Sequence, residues 1–373
     1  MVKKLVSIII PVYNGSNYVA EAVESALNQT YENVEVIVVN DGSDDNGKTR
    51  EVLKRYDNRI KYIEKENGGV ASALNVGIRN MSGDYFAWLS HDDIFDTNKI
   101  KIQIEDIEKS GDLKSISAMN YIFFDEESKT EIATDFQKYY PINRIEESIF
   151  ILLWGELHFS SLLFHKDHFK RVGLFNENLL TAQDNDFLFR LLRGQKIIFN
   201  INYASRVRLH KESGTSTNKD ILNAENSRMY EMLLEQLSEK ELEEIGGTAK
   251  RTRDKIKSII TSMSPVRDDL HELRDGRDEN IVLVGAGGYG RRVNYELRAN
   301  GIRPLLFLDN DRSKEGKIID GVLCKKLCKE NIPENATVIV TNKFYKTLEE
   351  ILETYGEKNI INKYDFDRQM INK

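Results

Sequence analysis

Residues 5–10 (LVSIII) and 34–39 (VEVIVV) are β-branched runs with little polar alternation, the pattern of parallel strands covered on both faces. Between them Val19, Ala22, Val23, Ala26 and Leu27 recur at spacings of three and four. That spacing predicts a helix beginning near Ser16 with one apolar stripe against a sheet. A third strand at 59–64 (RIKYIE), a helix carrying Ala71, Leu74 and Ile78, and a fourth strand at 84–90 (DYFAWLS) continue the alternation. The expected fold class is therefore α/β with an open sheet.

The pattern changes after residue 217. From 218 to 278 charged residues dominate, with Ile221, Met229, Met232, Leu233 and Leu237 at helical intervals and breaks at Gly246, Gly247 and Pro265. Two or three connecting helices are expected there. From 279 to 373 a smaller α/β pattern begins, with strands at NIVLV, PLLFLD and TVIVTN (337–342). The predicted organisation is a first domain at 1–217, a helical connector at 218–278 and a second domain at 279–373.

Composition narrows the class. The 373 residues suit two domains, and 40% hydrophobic with 30% charged residues is the balance of a soluble globular protein. Lys and Arg number 53 against 60 Asp and Glu, so the positive surplus that nucleic acid would require is missing. Cys324 and Cys328 supply no disulfide framework and are read as lying on a solvated helix in a reducing compartment. No apolar run approaches the roughly 18 residues of a membrane span, and Pro11 ends the first run before a signal-peptide core is complete. A cytoplasmic location is expected, with peripheral association at the inner face of the membrane and oligomerisation left open.

Ligands of open α/β sheets bind beyond the carboxyl ends of the strands. Those ends here carry Pro11 and Tyr13, then Asn40 and Asp41, then Asp92 and Asp93. In VVNDGSDD (38–45) the Asp, Gly and Ser residues are equally ordinary turn formers. In SGDYFAWLSHDD (82–93) an aromatic strand runs straight into two adjacent carboxylates, which repel unless a cation sits beside them. A hard divalent ion shared with substrate phosphates answers that repulsion.

Six segments in order, SIIIPVYN (7–14), VVNDGSDD, NGGVASALNVGI (67–78), LSHDD (89–93), VGLFNE (172–177) and QDNDFLFRL (183–191), resemble the inverting glycosyltransferases of family 2. The resemblance covers residues 5 to about 217 and implies the GT-A fold, an open mixed sheet with helices on both faces. It implies a nucleotide-sugar donor, a UDP-sugar favoured, with Mn²⁺ or Mg²⁺, and a sugar, lipid-linked or glycoconjugate acceptor. By the same resemblance Tyr13 lies against the base, Asp41 accepts a hydrogen bond from it, Asp92 holds the ribose and Asp93 the metal. Pro11, Asn14, Asn67, Gly68 and Asn75 fall in segments that would bind donor, and His210 would reach the metal or diphosphate. Asp184 falls at the catalytic base, with Asp186 second.

Two positions depart from the family pattern: Ser90 stands where a further Asp is frequent, and Gln183 where an acidic neighbour of the base is usual. Arg206, Arg208, Lys211, Ser213 and Thr215 around His210 are donors suited to phosphate oxygens. His158, Ser160 and Ser161 are expected to line an acceptor pocket, and Trp154 offers either a stacking face for a sugar or core packing.

GAGGYG (285–290) follows a strand and opens a helix, the context a dinucleotide fingerprint requires. Gly285, Gly287 and Gly290 would admit a diphosphate and Asp309 stands where a ribose-binding acid belongs. The span resembles Rossmann-like nucleotide modules fused to sugar-modifying enzymes. Structural or docking service is the favoured reading; among ligands, a nucleotide-sugar is preferred to NAD. Two further functions compete for the whole chain: a sugar nucleotidyltransferase, whose glycine- and arginine-rich first loop PVYNGSNY does not supply, and a non-catalytic nucleotide-sugar-binding scaffold.

Overall fold

The computed structural model describes residues 4–213, 217–266, 277–278, 280–342, 345–356 and 359–371. Backbone contacts divide the chain into two units, Met1–Leu222 and Asn223–Lys373.

In the first unit the strands are β1 (Val6–Val12), β2 (Val34–Asn40), β3 (Lys61–Glu64), β4 (Tyr85–Trp88), β5 (Ile94–Phe95), β6 (Ile116–Asp125), β7 (Thr130–Ala133), β8 (Leu162–His165) and β9 (Ile197–Arg208). Among the described residues they form one open sheet in the order β3-β2-β1-β4-β8-β6-β9-β5, with β7 paired to β6. The β3-β2-β1-β4 half is parallel, while β8 runs antiparallel to both β4 and β6. The sheet is thus mixed. All seven residues of β1 are buried, as its unbroken apolar run requires.

One face carries Ile8, Ile10, Val36, Val38, Tyr85 and Ala87 against the helices Val19–Leu27 and Lys99–Ser110, whose Val23, Ala26, Ile100, Ile104 and Ile107 share the same core. The first helix starts three residues later than its spacing suggested. On the other face Phe86 and Trp88 meet Phe159, Phe164, Phe169 and Phe175, a cluster that continues into Phe187. The long strands β6 and β9 were not anticipated. Both are interrupted by polar residues, and their parallel pairing shifts register between Met119 and Ile122. A strand with such a break shows neither a clean alternation nor an apolar run.

In the second unit the helices Glu239–Gly246 and Ala249–Met263 precede β10 (Arg277–Asp278), which pairs with β12 (Ile302–Arg303). Ser238 forms a capping box with Glu241, which sets the start of the first of these helices. A second sheet has the order β14-β15-β13-β11-β16-β17, from β11 (Ile281–Val284), β13 (Leu306–Asp309), β14 (Ile318–Ile319), β15 (Val322–Lys326), β16 (Thr337–Val340) and β17 (Ile360–Asn362). Its five parallel strands run β15-β13-β11-β16-β17, the arrangement of a doubly wound sheet whose direction of growth reverses at β11. Lys255 is buried here against Glu296 and Asp367.

The helix expected to carry the cysteines is absent. Cys324 is buried in β15 and Cys328 lies in the turn after it. Burial pushes the Cys324 thiol up to about 11, so it is a core residue with no thiolate chemistry at neutral pH. No described helix is long and apolar enough to cross a membrane.

Candidate active site

Because β1, β2 and β4 are parallel and in register, their carboxyl ends open on one edge of the sheet. Past β2 the Asp41 carboxylate is 3% exposed. Its Oδ1 accepts from Lys65 Nζ at 2.6 Å and from the Gly68 N–H at 3.1 Å, and its Oδ2 accepts from the Gly69 N–H at 2.7 Å. Asp41 therefore caps the positive end of the helix Gly69–Asn80. A carboxylate offers about four acceptor positions, and three are used, which leaves room for one further donor.

Tyr13 and Asn14 close the neighbouring turn. The Tyr13 hydroxyl and Asn14 Nδ2 donate to Asp44 Oδ1 at 3.2 and 2.7 Å, and together they hold the Asp44 carboxyl below its usual value, Asn14 more strongly. Asn14 Oδ1 accepts the Asp44 N–H at 3.0 Å in return. The Tyr13 ring is 42% exposed, Pro11 is buried within β1, and Asn67 and Gly68 are exposed in the loop before the helix.

Asn75 has a different surrounding. Its Nδ2 donates to the Phe175 carbonyl at 2.9 Å and to Glu177 Oε1 at 2.7 Å, while its Oδ1 accepts the Phe175 N–H at 3.0 Å. With its amide engaged this way inside the protein, it clamps the 175–177 segment.

Past β4 the two acids separate in character. Asp92 Oδ2 lies 2.9 Å from His210 Nε2. Burial pushes Asp92 up, but the His210 hydrogen bond and His91 outweigh it and hold the carboxyl below its usual value. Asp93 accepts the Arg208 N–H at 3.0 Å, and burial followed by repulsion from Asp92 pushes it well above the usual carboxylate range. Arg208, expected to offer its guanidinium to phosphate, is enclosed instead. It donates to the Asp92 carbonyl at 2.9 Å, pairs with Glu21 and Glu126, and lies over the rings of Tyr18 and Phe124. Arg208 braces the acidic pair. Arg206 is paired with Glu131, and Thr215 lies outside the described residues.

Among the described residues no group of three His, Cys, Asp or Glu side chains forms a ready metal cage. Two adjacent acids next to a histidine, with Asp93 pushed well above the usual range by burial and by Asp92, fit a divalent ion that would complete its ligands with substrate phosphates.

The helix Gln183–Leu192 brings the expected base. Asp184 accepts the Asn185 N–H at 2.7 Å, makes no ion pair among the described residues, and is pushed up to about 6 by burial. Asp186 is committed to Arg190, which donates to it at 3.1 and 2.6 Å. That difference separates the two candidates. Phe187 on this helix stacks on Phe175 at 4.3 Å, and Phe175 meets Trp88 at 5.7 Å, so the helix is tied to the end of β4.

His158 Nδ1 lies 2.7 Å from Ser160 Oγ, which in turn lies 2.7 Å from Ser205 Oγ. Burial lowers His158 to about 4 despite the opposing pull of Asp92, so it is neutral at physiological pH. Trp154 is 3% exposed and stacked on Phe150 at 4.9 Å, which makes it core rather than a sugar platform. Lys65, the bracing role of Arg208 and the place of His91 beside Asp92 carried no local sequence signal; their positions are set by long-range packing.

In the second unit Gly285 has φ +102°, and Thr341 Oγ1 donates to its carbonyl at 2.8 Å. A Cβ on Gly290 would come within 1.9 Å of the Gly285 carbonyl, whereas nothing lies within 4 Å of one on Gly287. Asp309 accepts from the Ala286 N–H at 2.7 Å, the Asp311 N–H at 2.8 Å and Lys314 Nζ at 2.9 Å.

Residues 7–172 match the family model described as Glycosyl transferase family 2. The chain is 40% identical over 298 residues to an uncharacterized glycosyltransferase of Rickettsia prowazekii (strain Madrid E), covering 80% of this chain and 92% of that protein. It is 44% identical over 238 residues to an uncharacterized glycosyltransferase of Rickettsia felis, covering 64% of this chain but 39% of that one. The chain spans about two-fifths of the length of that relative and of a similar one from Rickettsia conorii. Among solved structures, S. aureus TarS 1–349 in complex with UDP gives a TM-score of 0.46 at 16% identity, covering 70% of this chain and 81% of that one. This chain belongs to glycosyltransferase family 2. The matched span holds Asp41, Asp92, Asp93 and His158 and ends before Asp184 and His210.

Proposed function

We propose that the first unit is a metal-dependent inverting glycosyltransferase that moves a sugar from a nucleotide-sugar, a UDP-sugar favoured, to an acceptor hydroxyl in surface polysaccharide or glycoconjugate synthesis. In this reading residues 1–217 carry the transfer, 218–278 connect, and 279–373 form a Rossmann-like module. The observation that carries it is the contrast between the Asp92–Asp93 pair beside His210, two adjacent acids whose repulsion a cation would relieve, and Asp184, an acid at a helix start that makes no ion pair among the described residues.

Asp184 takes the proton of the attacking hydroxyl while the nucleoside diphosphate leaves from the opposite face of the anomeric carbon. A base raised to about 6 is still ionised at neutral pH and holds a proton better than an ordinary aspartate, which suits a hydroxyl whose acidity rises during attack. Asp41 has one acceptor position left for the base, Tyr13 stands exposed beside it, and Asp92, kept ionised, accepts from ribose hydroxyls. Asp93 and His210 would hold the metal, Mn²⁺ or Mg²⁺. When bound, that ion neutralises charge developing on the leaving phosphate. His158, neutral, lines the acceptor side.

The test is a thermal-shift series with UDP, GDP and dTDP, each with and without Mn²⁺. A nucleotide bound at 100 times its Kd stabilises the folded state by about 2.7 kcal/mol. The expected result is a metal-dependent shift with UDP. Stabilisation by none of the three, with no nucleoside diphosphate released from the corresponding sugars, would remove the proposal.

A further inference from the structure

Trp88, at the carboxyl end of β4, is 7% exposed and its buried indole N–H has no hydrogen-bond acceptor. Gln183, the first residue of the helix that carries Asp184, is 6% exposed and its buried side-chain carbonyl has no donor. Orphaned buried groups of this kind are rare in folded proteins, because each has given up water without replacement. These two are complementary, one a donor and the other an acceptor.

They also border the same aromatic cluster. The Trp88 ring lies 4.8 Å from Phe159 and 5.7 Å from Phe175, and Phe175 stacks on Phe187 at 4.3 Å. Phe187 is four residues beyond Gln183 and therefore on the same side of the helix. Asn75 holds Phe175 through both its N–H and its carbonyl, so the floor of the cluster is fixed. The Gln183 end follows residues 176–182, a segment without helix or strand. Neither orphaned atom has accessible surface, so neither is offered to an incoming substrate.

We propose that Trp88 and Gln183 are positioning residues that form a latch between donor site and base: in the nucleotide-loaded protein the Trp88 indole N–H donates to Gln183 Oε1. The bond fixes the first turn of the helix and with it Asp184. Trp88 is the last residue of β4 and Asp92 lies four residues further on in the turn that follows, so loading at Asp92 and Asp93 bears on the indole through a short stretch of chain. Free energy withheld in the empty state and recovered in the loaded one is a coupling between the two sites. The inference rests on the glycosyl-transfer reading above.

The chain has two tryptophans, so an ¹H–¹⁵N spectrum holds two indole signals, and Trp88→Phe assigns them. On adding UDP, GDP or dTDP with Mn²⁺, whichever stabilises the protein, the Trp88 indole proton is expected to move downfield while that of Trp154, packed on Phe150, stays in place. Trp88→Phe and Gln183→Leu should each lower kcat for nucleoside diphosphate release about tenfold with donor KM changed by less than about twofold. Gln183→Glu keeps the acceptor oxygen and should retain kcat within about threefold of the parent protein. A Trp88 signal unmoved in a nucleotide-loaded, turning-over protein overturns the latch alone, as does equal loss in Gln183→Leu and Gln183→Glu. If no nucleotide stabilises the protein and no nucleotide-sugar is turned over, the glycosyl-transfer reading falls and the latch falls with it.

Discussion

Asp309 in the second unit and Asp184 in the first are both acids near a helix start, and their surroundings are opposite. Asp309 accepts from two backbone N–H groups and from Lys314, which together hold its carboxyl below the usual value against burial. Asp184 accepts one N–H and is pushed up to about 6. The first acid has its bonding capacity turned inward, bracing the turn it sits in. The second has capacity to spare. Asp41 is intermediate, with three of about four positions filled, and in the Asp92–Asp93 pair burial and the neighbouring acid push Asp93 well above its usual range. Unused capacity at a desolvated acid is costly to the fold, and such costs concentrate where chemistry is done.

The largest effect expected from this difference is at the base. Asp184→Asn removes the proton acceptor and keeps the shape, so nucleoside diphosphate release should fall by about 10² to 10⁴ with little change in donor binding. Asp309→Asn, by contrast, should leave release untouched. Steady-state rates on the two variants check both halves, and full activity in Asp184→Asn would end the assignment of the base.

A smaller effect follows from acidity. An Asp184 raised to about 6 is ionised above that pH and protonated below it. As a base it works when ionised, so kcat/KM should reach half its maximum near pH 6, level off above about pH 7 and fall about tenfold per unit on the acid side. A profile flat down to about pH 4.5, the range of an ordinary carboxylate, would mean that the group titrating in the free protein is not Asp184.

The parallel half of the first sheet was legible because buried parallel strands and their helices carry strong periodic signals. The acids at the strand ends were legible for the same reason, since a strand end is a place the pattern marks. What the acids touch was not. Lys65 on Asp41, Arg208 beneath Asp92 and Asp93, and Asn75 on Phe175 are contacts between residues 24 to about 116 positions apart. Nothing in the local pattern sets them. Arg208 shows the difficulty well: an arginine next to a site histidine reads as a phosphate donor, yet the pairing of β9 with β6 turns it inward onto Glu21 and Glu126. Trp154 stayed open between sugar platform and core, and the cysteines were expected on a helix but lie at a strand and a turn, because an apolar run or a short spacing is compatible with several environments.

The smallest expected effect tests the other side of the comparison, and it separates packing from ligand binding in the glycine loop. Gly285, Gly287 and Gly290 look alike in sequence, but Gly290 is the most crowded, with the Gly285 carbonyl 1.9 Å from where a Cβ would stand, Gly285 is held at φ +102° with Thr341 Oγ1 3.0 Å from its own Cβ position, and Gly287 is open. Gly290→Ala should therefore cost about 1–3 kcal/mol by overpacking, read as a lower midpoint in urea. Gly287 has φ −90° and open space around it, so Gly287→Ala should shift stability by less than about 0.5 kcal/mol. An open glycine at a helix start is unexplained by packing, and the physical use of such a position is close approach of a diphosphate to backbone N–H groups. A shift in melting temperature on adding NAD or a nucleotide-sugar that is lost in Gly287→Ala, while the shift at the first-unit site is kept, would make the second unit a ligand-binding module. Equal shifts in parent and variant would leave its glycines, like Asp309, to the fold alone.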